Sequence, residues 1–245
     1  MKAMGLRGEW AKLGGDMRSS YGTGDRLIHS LRYAALALLG FAAVLFAAPV
    51  SVHAETPVKI VAFGDSLTAG YGLSAQNAFP AKLERALKAK RINVSIENAG
   101  VSGDTASGGL SRLDWSIPDG TDAVILELGA NDMLRGVDPK VTRQALDSIL
   151  KQLKNRGIAV LLCGMRAAPN MGADYVRNFE GLFSDLARKH GVLFYPFFLD
   201  GVASQAKFAL RDGVHPNAAG VDVIVAGIVP KVEELVARVR ARRGS

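Results

Sequence analysis

Two short motifs far apart in this chain carry residue types that can do acyl-transfer chemistry together. Gly64-Asp65-Ser66-Leu67 offers a hydroxyl, and Asp212-Gly213-Val214-His215-Pro216 offers an imidazole with a carboxylate three residues before it. An unassisted serine hydroxyl is a weak nucleophile at neutral pH and needs a neighbouring base. Beyond residue 54 the chain has only two histidines, His190 and His215. His190 precedes Gly191, the arrangement of a helix end where an imidazole meets the last carbonyls. His215 is therefore the candidate base, and Asp212 is near enough to hold its second ring nitrogen and fix its tautomer.

Two further clusters could stabilise an anion formed at an attacked carbonyl. In Asn98-Ala99-Gly100-Val101-Ser102-Gly103-Asp104-Thr105, Gly103 has no side chain to keep a ligand from its N–H. In Gly129-Ala130-Asn131-Asp132, Asn131 would present a neutral amide donor, suited to a charge that exists only in the transition state. Each cluster alone has an equally good local explanation. Asp65 and Ser66 favour turns, Asp104 or Thr105 can cap a helix, and Asn131 with Asp132 can cap the turn that follows.

The elements that must position these clusters follow from the hydrophobic pattern. Short β-branched runs predict strands at Val58 to Phe63, Ile92 to Asn98, Ala123 to Leu128, Ile158 to Cys163 and Val192 to Tyr195. Three- and four-residue apolar spacing predicts helices at Phe79 to Lys90, Thr105 to Trp115, Pro139 to Arg156, Ala173 to His190 and Asn217 to Arg240. Strict alternation implies parallel strands, right-handed crossovers and helices on both faces of one sheet. Ser66, Gly103 and Asn131 then follow the carboxyl ends of the first three strands, where open parallel sheets bind ligands.

The four clusters, in this order, resemble the conserved blocks of the SGNH, or GDSL, hydrolases over residues 58 to 235. The surroundings of Asn98 to Thr105 resemble the exported bacterial thioesterase, lysophospholipase and arylesterase branch. The resemblance implies a flavodoxin-like three-layer α/β/α sandwich with a five-stranded parallel sheet. It implies catalysis by Ser66, Asp212 and His215, with an oxyanion hole of the Ser66 N–H, the Gly103 N–H and the Asn131 side chain. No cofactor or metal is implied. The activity implied is a serine esterase of broad acyl specificity, acting on carboxylic esters, lysophospholipids or acyl thioesters through an acyl-enzyme. A carbohydrate acetyl esterase is the alternative on the same fold. Met133-Leu134-Arg135-Gly136 departs from the usual loop of the branch, which bears on acyl preference.

Composition narrows the field further. Of the net charge of +7, residues 1–54 supply three, with six basic and three acidic groups, and no basic stripe runs through residues 55–230. The footprint of a nucleic-acid binder is absent. Two histidines and the single Cys163 do not make a usual zinc site, and Cys163 lies in an apolar run that predicts a buried core thiol. Gly70-Tyr71-Gly72-Leu73-Ser74-Ala75 loosely matches a dinucleotide fingerprint but begins too far from the strand end. Gly100-Val101-Ser102-Gly103-Asp104 fails the last position of a G-x-S-x-G elbow. A nucleotide-binding or catalytically silent ligand-binding module is the remaining alternative.

Residues 34–50, AALALLGFAAVLFAAPV, follow Arg26 and Arg32 and precede Val52-His53-Ala54. That pattern predicts a secretory signal in 1–54 cut after Ala54, hence a periplasmic or secreted enzyme, with an uncleaved membrane anchor as the alternative. The hydrolase domain would then be 55–245, monomeric, acting on small-molecule or lipid esters and meeting a membrane only through the signal or its substrate. Leu110, Met133, Leu134, Met165, Met171 and Phe208 are candidates to line an acyl groove, although several could equally be core residues.

Overall fold

A computed structural model describes residues 56–244. In chain order the elements are β1 (Val58–Gly64), α1 (Ser66–Ala69), α2 (Phe79–Ala89), β2 (Val94–Gly100), α3 (Ala106–Ser116) and β3 (Ala123–Glu127), followed by α4 (Ala130–Leu134), α5 (Pro139–Asn155), β4 (Ala159–Cys163), α6 (Ala173–His190), β5 (Leu193–Tyr195) and α7 (Ala218–Arg243). The five strands form one parallel sheet in the order β2-β1-β3-β4-β5. β3 and β4 are buried along their whole length, which is why their sequences are near-continuous apolar runs rather than alternating ones. Edge strand β2 has exposed polar residues along it, Ser95, Glu97 and Asn98.

Helices cover both faces. α2 packs on α7, while α3, α5 and α6 pack side by side. α5 shows how the pattern builds the layer: Asp138 caps its start by accepting from the Lys140 N–H at 2.9 Å, Pro139 opens its first turn, and Leu146, Ile149, Leu150 and Leu153 are all buried. Each such side chain contributes about 1.5–3 kcal/mol on burial.

Three strands begin later than their apolar runs suggest, and all for one reason. α2, α5 and α6 end in the same two-bond motif, in which one residue takes a left-handed backbone and the next donates back into the helix. The Ile92, Ile158 and Val192 N–H groups donate to the Leu87, Leu153 and Ala187 carbonyls at 3.0, 3.0 and 3.1 Å. These three β-branched residues are therefore used in leaving a helix, and β2, β4 and β5 start after them.

The strand order reverses direction between β1 and β3, which creates a crevice at their carboxyl ends. Register brings those ends level: Gly64 lies opposite both Gly100 and Glu127, and Glu127 lies opposite Cys163.

Candidate active site

β1 runs into a turn too tight for a side chain at Gly64. A Cβ there would sit 2.1 Å from Thr68 Oγ1 and 2.5 Å from the Glu127 carbonyl oxygen. The short α1 follows, capped by Asp65, whose carboxylate accepts from the Leu67 N–H at 3.0 Å. Gly70 ends it in the left-handed region at φ +81°. This geometry places Ser66 at the crevice with its side chain nearly buried.

Ser66 Oγ lies 2.9 Å from His215 Nε2, and His215 Nδ1 lies 2.7 Å from Asp212 Oδ2. A carboxylate only accepts, so the ring proton belongs on Nδ1 and Nε2 is left to accept from the serine hydroxyl. The other Asp212 oxygen accepts from the backbone N–H groups of His215 and Val214 at 3.0 and 2.9 Å. Those amides and the imidazole hold the Asp212 carboxyl down to about 2. The segment is closed by an antiparallel bridge between Ala209 and Pro216, with the Leu210 N–H donating to the His215 carbonyl at 2.7 Å and the Asn217 N–H to the Phe208 carbonyl at 2.8 Å. The Tyr71 ring lies against the imidazole at a centroid distance of 4.4 Å, a contact the sequence does not signal.

Gly103 occupies the third position of a turn in which the Asp104 N–H donates to the Val101 carbonyl at 3.1 Å, and its φ of +85° is the reason glycine is required. Its carbonyl accepts from the Arg135 guanidinium at 2.8 Å. The backbone N–H groups of Ser66 and Gly103 make no hydrogen bond to any described residue. Asn131 stands between the two turns, but its amide is not simply presented to the crevice as expected. Nδ2 donates to Asp65 Oδ2 at 3.0 Å and to the Asp104 carbonyl at 2.9 Å. One of these bonds has to open or fork for the amide to reach an oxyanion.

Several supporting residues escape a reading of the sequence. Arg112, on α3, is buried and joins the ends of β1 and β2: it donates to the Gly64 carbonyl at 2.8 Å and the Ala99 carbonyl at 2.9 Å, and also to Asp104 Oδ2 at 2.5 Å and Ser116 Oγ at 3.1 Å. Its guanidinium also lies 4.0 Å from the centre of the Phe63 ring. Asp132 is buried and accepts from the Ala106 N–H and Thr142 Oγ1, tying α4 to α3 and α5. Burial pushes the Asp65 carboxyl up to about 6 against the lowering effect of its Leu67 and Asn131 bonds. Nothing in the spacing of Arg112 named its partners.

Other expectations divide. Cys163 is a buried core residue. His190 does end α6, with Gly191 in the left-handed region, but its Nε2 meets Asp147 Oδ1 of α5 at 2.7 Å rather than the last carbonyls. Met165 is buried among the core residues rather than exposed toward a groove. Leu110, Met133 and Phe208 are only half-buried and Leu134 is exposed.

Residues 62–223 match the model of the GDSL-like lipase/acylhydrolase family. The chain belongs to that family. Over 169 residues this hydrolase is 36% identical to an arylesterase of Vibrio mimicus, covering 69% of this chain and 84% of that one. Over 193 residues it is 34% identical to thioesterase 1/protease 1/lysophospholipase L1 of Escherichia coli strain K12, covering 78% and 91% respectively. Among solved structures, the SGNH-hydrolase family esterase AlinE4 is 47% identical, with a TM-score of 0.62 over 74% of this chain and 96% of that one. The hydrolase is thus an esterase of the SGNH family, built on the α/β fold that its alternating pattern predicts.

Proposed function

We propose that this esterase cleaves carboxylic esters of apolar acyl chains, lysophospholipids among them, through an acyl-enzyme on Ser66. One observation carries the reading: an unbroken Ser66–His215–Asp212 hydrogen-bond chain ends beside two unspent backbone amides. As Ser66 Oγ attacks the acyl carbonyl, His215 Nε2 takes its proton and Asp212 balances the imidazolium. The carbonyl oxygen gains charge and is met by the Ser66 and Gly103 N–H groups and by Asn131. The proton then passes from His215 to the departing alcohol. A water molecule, deprotonated by the same nitrogen, attacks the acyl-enzyme, and the proton returns to Ser66 as the acid leaves.

The apolar acyl preference rests on the rim. Six large hydrophobic side chains are exposed among the described residues, and four of them flank the site residues in sequence: Tyr71, Val101, Leu134 and Val214. An open apolar rim discriminates one methylene from the next only weakly, which supports broad chain-length tolerance. The signal-like segment at 34–50 lies outside the described residues, and its pattern supports export to the periplasm or beyond. An exported enzyme would meet lipid and small esters rather than cytosolic acyl thioesters.

The test is hydrolysis of nitrophenyl esters from acetyl to palmitoyl, with lysophospholipid and acyl-CoA alongside, by the wild type and Ser66→Ala. Saturable activity that vanishes in Ser66→Ala is expected. Activity surviving the substitution would overturn the assignment of the nucleophile, and activity confined to acetylated sugars would overturn the acyl preference.

A further inference from the structure

Directly beneath the nucleophile turn lies an acid that the reaction does not use. Glu127, the last residue of β3, is fully buried. Its Oε2 accepts from Thr68 Oγ1 at 2.8 Å and, at a long 3.4 Å, from the Asp65 N–H, so one oxygen holds residues on both sides of Ser66. A Cβ at Gly64 would fall 2.6 Å from the same oxygen, so the glycine is what lets the acid approach the turn. Its Oε1 is buried with no hydrogen-bond partner. The titratable groups that face it are the Asp65 carboxyl from the turn and the Cys163 thiol from β4, and among the described residues no cation pairs with it.

We propose that Glu127 is a positioning residue for the nucleophile turn and that it holds the turn as a neutral carboxylic acid. The inference rests on Ser66 being the nucleophile. An ionised carboxylate taken out of water needs a cation or several well-placed donors, and Glu127 has the Thr68 hydroxyl, the distant Asp65 amide, the Thr68 amide and a like acid as neighbours, with no charged partner among the described residues. A proton on Oε1 removes the charge while leaving both bonds to Oε2 in place. Burial first, and the Asp65 carboxyl second, push the group well above the usual carboxylate range. The alternative, an anion, would set two negative groups within one turn, with nothing opposite Oε1.

Glu127→Gln copies the neutral acid: its amide oxygen keeps the acceptor role of Oε2. Glu127→Leu keeps the bulk and removes the acceptor. The first readout is the rate at which a nitrophenyl alkylphosphonate labels Ser66, measured well below each protein's melting point, beside kcat and KM. Expected is a labelling rate and kcat within about threefold of wild type for Glu127→Gln, and a loss of tenfold or more in both for Glu127→Leu with KM little changed. Equal labelling in all three proteins would overturn the positioning role. Failure of the wild type itself to be labelled at Ser66 would instead overturn the reading of the nucleophile. The second readout stands even if Glu127→Leu does not fold. A protonated folded acid that ionises on unfolding makes the wild-type unfolding constant rise, relative to that of Glu127→Gln, about tenfold per pH unit above the unfolded value. Urea unfolding at pH 5, 6 and 7 measures this ratio, and a ratio independent of pH would show an ionised Glu127 and overturn the proposal.

Discussion

Replacing Arg112 by Met should cost the fold more than the site. The methionine can fill the space beside Phe63, but it leaves four oxygens without the donor that joined them: Asp104 Oδ2, Ser116 Oγ and the carbonyls of Ala99 and Gly64. Arg112 and Asp104 form a mostly buried pair, with side chains 6% and 17% exposed. Removing one member of such a pair costs about 3–5 kcal/mol, because the other is left buried and uncompensated. For a domain of this size each kcal/mol lowers the melting temperature by about 2–4 °C. A drop of about 6–20 °C is expected by differential scanning calorimetry. Arg112→Lys should recover little of it, since one ammonium cannot span acceptors on two strand ends, a loop and its own helix. At a temperature where the variant is folded, kcat should also fall, because Gly64 leads into the serine turn and Asp104 anchors Asn131. A shift under about 2 °C would show that the network is incidental and that the strand ends are held by the sheet alone.

The remaining predictions concern the chemistry and the turn. Asn131→Ala should lower kcat by about 10²–10³-fold with little change in KM, the cost of one oxyanion donor; an equal effect on both constants would point to substrate binding instead. Asp212→Asn should reduce kcat by about 10³–10⁴-fold by favouring the wrong ring tautomer, and a loss below tenfold would contradict the orienting role. Because the Asp212 carboxyl is held down to about 2, it stays ionised throughout the range in which the enzyme works, and its support of the imidazole is lost only as pH falls through that value. Asp212 should therefore add no proton of its own to the acid limb of kcat/KM well above that value, and a limb that loses one proton in Asp212→Asn would refute this. Gly64→Ala should prevent accumulation of folded protein, because the new methyl would meet Thr68 and Glu127 well inside contact distance; a soluble variant with wild-type melting would show that the turn can shift.

What the sequence disclosed depended on how locally each feature was encoded. His215 and Asp212 are three residues apart in one loop, so their pairing was legible from spacing and from the scarcity of histidines. The strands were legible because β4 is apolar throughout and β3 is apolar up to its last residue, Glu127. Their starts were not, since Ile92, Ile158 and Val192 look like strand residues and become helix terminators only through backbone bonds to residues five positions earlier. Arg112, Glu127 and the engagement of Asn131 with Asp65 lie deeper still. Each depends on contacts between residues 13 to 66 positions apart, formed only when the sheet brings strand ends level. Met165 belongs to the core for the same kind of reason, since proximity to a strand end does not say whether a side chain is covered.

The bridged loop around His215 has a consequence for how activity is lost on heating. His215 and Asp212, the proposed base and its orienting acid, sit in a segment closed by bonds that begin and end within residues 207–217, including Asn217 Nδ2 donating to the Lys207 and Ala209 carbonyls. Ser66, in contrast, is 149 residues away from His215 and meets it through the packing of the sheet and the contact of the Tyr71 ring with the imidazole. The loop is a preassembled cartridge, whereas the contact between cartridge and nucleophile reports on global order. Warming should separate Ser66 from a still intact Asp212–His215 pair, so inactivation ought to be reversible and to track loosening of β1 and α7 rather than decay of the pair itself.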